Sequence, residues 1–208
     1  MGNFAKFALF VFIGLLTSGC STMSSVSLSK DDKAAIGDVA VVWDGYLPGT
    51  PFYNGPENQA GAVFGVVGSL VAASSTRSDK EKIADFVKTN DIKLGDIVKS
   101  EFESQLSKKK DYNNRIKDGA SSKFIIRIPL YGVSAGSFSS EFKPYLVVDA
   151  KLVNASGRVI WEQKDYVASH GSAPAATFDA FLGSPEAFTT EFKAAAKEVV
   201  GLLLTNLN

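Results

Sequence analysis

Residues 144–167, PYLVVDAKLVNASGRVIWEQKDYV, constrain the fold more than any other stretch of this chain. Leu146, Val148, Ala150 and Leu152 repeat with period two, so one side of an extended segment is continuously apolar. Asn154-Ala155-Ser156-Gly157 is turn chemistry, and the return run 158–167 alternates polar with apolar positions. The pair predicts an antiparallel hairpin in a sheet with one buried and one wet face. A further strand is predicted over 124–131, where Pro129 demands either an edge or a bulge. The β-branched run Val39–Trp43 predicts a buried strand, and the breakers Pro48, Gly49, Pro51, Gly55 and Pro56 predict loop over 45–58.

Helical periodicity fills the rest. Ser78 and Glu81 match a capping box ahead of Ile83, Phe86 and Val87. Leu94, Ile97, Val98, Phe102 and Leu106 lie on one stripe of a second helix, whose Lys108-Lys109-Lys110 end suits the helix dipole. Ser184 as N-cap, Pro185 in the first turn and Glu186 open a final helix with a stripe of Phe188, Phe192, Ala195, Val199 and Leu202. The order of elements predicts an α/β (α+β) fold, with a mixed or antiparallel sheet and helices packed on one face.

The N-terminus predicts the compartment. After Lys6, the apolar run 7–16 has signal-peptide length and is too short to span a bilayer as a helix. It leads through Thr17-Ser18-Gly19 into Cys20, the only cysteine of the 208 residues. This arrangement resembles a bacterial lipoprotein signal, with Thr17 where Leu is favoured. The resemblance implies cleavage after Gly19, diacylation of the Cys20 thiol and lipid anchoring. Ser21 resembles the residue that permits sorting to the outer membrane, facing the periplasm. The expected organisation is therefore a signal peptide over 1–19, an acylated cysteine with a Ser-rich tether over 20–35, and one periplasmic α/β domain over 36–208.

Charge and composition exclude several classes of function. The 22 basic and 22 acidic residues cancel, which removes the cationic footprint of a nucleic-acid binder. A single histidine and a single cysteine argue against a zinc site, and no acidic cluster has calcium-loop spacing. Neither a phosphate loop nor a dinucleotide fingerprint is present, so no cofactor is expected. At 45% hydrophobic residues the chain can bury an ordinary core.

In 144–166, Asp149, Leu152, Gly157, Val159 and Trp161 carry a resemblance to a hairpin of proteobacterial envelope lipoproteins. These include the curli-secretion lipoprotein, lipoprotein activators of peptidoglycan synthases and the N-terminal domain of the Tol-system propeller protein. The resemblance implies an anticodon-binding-like periplasmic fold used for protein contacts or ring assembly, with no catalytic residues. The expected function is a non-enzymatic, lipid-anchored accessory protein whose partners are the membrane and other envelope proteins or copies of itself. No small-molecule substrate is indicated.

Two features offer alternatives. Gly61, Gly65, Ser69 and Ala73 recur every fourth position in an uncharged stretch, 60–73, and would form a flat helical seam. That seam is either buried in the fold or a contact with membrane or a neighbouring copy, as in a ring or secretion pore. Trp161 is likewise either a core anchor or an interface residue. Separately, Gly132-Val133-Ser134-Ala135-Gly136 matches the nucleophile elbow of serine hydrolases, with Asp149 or Asp165 and then His170 in hydrolase order. The elbow requires a helix directly after the serine, whereas 137–144 reads as loop leading into a strand.

Overall fold

The structure, a computed structural model, describes residues 25–56, 78–136, 139–167 and 175–207. Strands β1 (Val39–Trp43), β2 (Phe52–Asn54), β3 (Ser122–Ala135), β4 (Phe142–Val153) and β5 (Val159–Val167) form a single mixed sheet. Helices are α1 (Lys30–Ala35), α2 (described over 78–89), α3 (Leu94–Ser107), α4 (Phe178–Phe181) and α5 (Pro185–Thr205). The path across the sheet is β1-β3-β4-β5, and β2 pairs with the far half of β3. Both β1 and β2 run parallel to β3, while β4 runs antiparallel to its neighbours β3 and β5. The chain between β1 and β3 includes α3, the helical crossover that a parallel pair requires. The α+β class read from the sequence is the class observed.

Among the described residues, helices seal one face of the sheet. In β4, burial alternates without a break, and Leu146, Val148, Ala150 and Leu152 all point into the core. Helix α3 covers β1 and β3, while α5 covers β4 and β5. The two helices run parallel, and Gln105 near the end of α3 donates to the Lys197 carbonyl of α5 at 2.7 Å. Phe102, Phe124, Tyr112 and Trp161 form one aromatic cluster beneath them, and Phe181, Phe188 and Phe192 form another.

Pro129 falls at a bulge. Arg127 pairs with Asp149 and Leu130 with Val147, so β3 carries one residue more than β4 across this step. The extra residue changes which positions face the helices, from Phe124, Ile126 and Ile128 to Tyr131, Val133 and Ala135. Proline is tolerated in this interior strand because the bulge interrupts the ladder where its missing N–H would be needed.

Three expectations are corrected. Residues 45–58 contain β2, a strand too short and too close to prolines to show period-two patterning. Leu202 is 43% exposed, and the buried stripe of α5 ends on Val200, Leu203 and Leu204 instead. The helix rests on both the sheet and α3, which widens its apolar face beyond a single stripe.

The third correction concerns the Ser-rich tether, part of which belongs to the fold. Val26 exchanges two backbone hydrogen bonds with Glu162 on the outer edge of β5, at 3.0 and 2.9 Å. Ser29 caps α1 by accepting from the Asp32 amide, and Asp32 pairs with Arg158 after the hairpin turn. Lys33 reaches Asp111 at 2.8 Å, and the Arg115 guanidinium donates to the Ile36 and Gly37 carbonyls. Residues 26–38 thus form a strap from the β5 edge to the start of β1 at the opposite edge, and they bury Ile36 on the way. No helical or strand periodicity announced it, because its contacts are single and belong to partners distant in sequence.

The packing of α3 on β1 generates a test. A Cβ on Gly95 would lie 2.2 Å from the Trp43 ring, so the indole rests directly on the helix backbone. Gly95→Ala should therefore destabilise the protein by about 1–3 kcal/mol in urea unfolding, although alanine is the better helix former. At Gly201 the nearest neighbour of a Cβ is the Gln105 side chain, at an ordinary 3.5 Å. There, Gly201→Ala should raise stability by up to about 1 kcal/mol.

Candidate functional site

The sheet face turned away from the helices carries the most developed polar constellation among the described residues. Strand register assembles it. Arg127 of β3 lies opposite Asp149 of β4, and Asp149 lies opposite Lys164 of β5. One step along, Ile125, Lys151 and Glu162 form a second row. With Asp44 at the end of β1, these side chains line a cleft of about 260 Å³. Positive and negative groups alternate across it.

The turn after β1 fixes one wall. The Asp44 amide donates to the Ile126 carbonyl, and the Asp44 carboxylate accepts from the Tyr46 amide at 2.9 Å. Gly45 adopts φ +82°, which lets the chain reverse within two residues. The other carboxylate oxygen lies 3.6 Å from Arg127 Nε. The Tyr46 ring sits under the same guanidinium, 4.3 Å from it, and is itself 45% exposed. Arg127 is thus held between a carboxylate and an aromatic face while its remaining donors stay open to solvent.

Asp149 differs from the other acids of the cleft. Burial pushes its carboxyl above the usual carboxylate range, and this outweighs the opposing pull of Lys164 and Arg127. Neither cation comes within ion-pair distance. Charge-alternating side chains around one half-desolvated carboxyl can recognise a polar, charged surface, with Tyr46 and Val42 (38% exposed) adding apolar contact at the rim.

Trp161 lies in the core rather than on the surface. Its side chain is fully buried against Phe124, and its indole N–H points to the Asn206 carbonyl at 3.4 Å. It is the core anchor of the hairpin. Cys20, Ser21, Gly61, Gly65, Ser69, Ala73 and His170 lie outside the described residues.

The serine motif does not form an elbow. Ser134 sits within β3, paired with Asn54 of β2 on one side and Lys143 of β4 on the other. Its hydroxyl is buried, donates to the Ala135 carbonyl and accepts from the Asn54 amide, both at 3.3 Å. Lys143 and Asp149 are six residues apart on one strand, which puts Asp149 about 20 Å from the serine along the sheet. Asp165 is in register with Val148, so it is no nearer. The motif's first glycine has a packing reason instead. A Cβ at Gly132 would fall 1.8 Å from the Phe52 carbonyl oxygen, so glycine is what lets β2 join the sheet.

Asp44, Tyr46, Arg127 and Lys164 escaped the sequence reading. Arg127 and Lys164 occupy the polar positions of alternating strands, which marks their face. Nothing in the sequence sets their register across the Pro129 bulge.

No protein-family model matches the chain, and neither does any curated protein. The solved structures that resemble it include bacterial lipoproteins. A candidate lipoprotein from Caulobacter crescentus matches at 14% identity with a TM-score of 0.37, over 55% of this chain and 80% of that one. The PelC dodecamer from Paraburkholderia phytofirmans matches at 14% identity and TM-score 0.32, over 89% and 96%. Lipoprotein GNA1162 from Neisseria meningitidis matches at 16% and 0.26, over 71% and 91%. Likenesses this distant add no weight to any role for the chain.

The raised Asp149 carboxyl has a consequence for stability. A carboxyl that is more basic folded than unfolded binds its proton more tightly in the native state. Its charge therefore costs stability at neutral pH, and the cost disappears as pH falls below the ordinary aspartate range. Asp149→Asn should raise the melting temperature at pH 7, and the gain should shrink progressively on acidification toward pH ~3.5. A gain that persists unchanged at low pH would assign it to packing rather than to charge.

Proposed function

We propose that this protein is a lipid-anchored, non-enzymatic accessory protein of the Gram-negative envelope, acting by contact with another envelope protein. The observation that carries the reading is the sheet face turned away from the described helices: a charge-alternating cleft beside exposed Val42 on β1 and exposed Tyr46 in the turn that follows it. Rigid strands present such groups at little conformational cost, which suits recognition of a folded partner surface. Support for the anchor comes from the apolar run that ends in Cys20, and Ser21 favours the outer membrane, facing the periplasm. In this reading Arg127, Asp149 and Lys164 fix the orientation of the partner, and Tyr46 supplies the buried aromatic contact.

Two measurements test the two halves. Radiolabelled palmitate should label the protein, and Cys20→Ala should abolish both labelling and salt-resistant membrane association. A photo-crosslinking residue at Tyr46 should capture a discrete envelope protein in living cells, and Arg127→Ala should weaken that capture about tenfold or more. Equal capture from Tyr46 and from Leu202, on the outside of α5, would contradict a specific role for the sheet face.

A further inference from the structure

The strap limits how far the folded domain can stand from its anchor. The first described residue held to the sheet after Cys20 is Val26, tied by two backbone hydrogen bonds to Glu162 on the outer edge of β5. Six residues, fully extended, cover at most about 20–22 Å. A tether running freely to residue 35 would allow more than twice the extended span. The strap removes that freedom, because Asp32–Arg158, Lys33–Asp111 and the Arg115 contacts hold residues 29–37 in place.

The attachment is also lopsided. Val26 lies beyond β5, and β1 closes the other side of the sheet. Four strand spacings separate Val26 from β1, about 19 Å. A leash fixed at one edge, whose full extension barely exceeds the width of the sheet, favours that edge over the other.

We propose that the edge formed by β5 and residues 26–35 is a membrane-facing surface, kept next to the lipid headgroups, with β1 and the Asp44–Tyr46 turn directed away from the bilayer. This inference rests on acylation of Cys20. Exposed Val26 marks the edge itself, with exposed Lys30 and Asp31 beside it and Arg158 paired to Asp32. Partners are then met on the β1 side, and strand addition at the β5 edge is sterically blocked.

The test uses the full lipoprotein, purified in detergent and placed in phosphatidylethanolamine/phosphatidylglycerol vesicles that contain a headgroup-nitroxide lipid. Acylation consumes the Cys20 thiol, so Lys30→Cys and Val42→Cys each provide one site for a fluorophore. Quenching at position 30 should exceed that at position 42 by about threefold or more, given the short leash. Inserting twenty Gly/Ser residues between Ser25 and Val26 lengthens the average leash to about 28 Å and should erase the difference. Equal quenching at both positions in the uninserted protein, with vesicles and protein floating together, overturns the orientation alone. A protein that lacks acyl mass and fails to float overturns the acylation reading, and the orientation with it.

Discussion

Every strand of the sheet is secured through β3, and β3 works only because of its bulge. On one side it accepts β1 and then β2 in parallel; on the other it pairs with β4 along nearly its whole length. Apolar residues face the helices from even positions before Pro129 and from odd positions after it. Without the extra residue, Tyr131, Val133 and Ala135 would turn to solvent, and Gly132 and Ser134 would enter the core. The same bulge stations Arg127 opposite Asp149. The core of one face and the cleft of the other are therefore set by a single irregularity.

The strap is the second constraint. Residues 26–38 run from the β5 edge to the start of β1, burying Ile36 and packing Leu28 against the core. The Asp32 carboxyl is held below the usual aspartate range, first by the Ser29 hydroxyl and then by Arg158. Its contribution is therefore present at neutral pH and is lost as pH falls through that depressed value. Residues 26–38 thereby contribute both edge pairing and core contacts to the fold.

Much of the scaffold was legible in the sequence because it follows from long, repeated patterns. The hairpin over 144–167, the stripe of α3 and the Ser184-Pro185 start of α5 each rest on several residues that agree. What escaped was short or non-local. Strand β2 exists because Gly132 admits the Phe52 backbone, and the strap exists because Glu162, Arg158, Asp111 and Arg115 wait at its ends. The cleft fell between these cases: alternation showed which residues face outward, but register decided which of them meet. The Gly132–Gly136 motif shows the converse, a pattern with chemical promise whose glycine serves strand packing.

The central claim is that residues 26–35 belong to the folded domain and are not a free tether, since the packing of Leu28 and Ile36 and the reach back to Cys20 both depend on it. Amide hydrogen exchange of the full chain, resolved to single residues, tests this most directly. The Val26 and Glu162 amides donate to each other's carbonyls, so the account predicts that Val26 is protected well above its random-coil rate and that Val26→Pro accelerates exchange at Glu162. Exchange of Val26 at the random-coil rate, with Glu162 indifferent to the substitution, would contradict it.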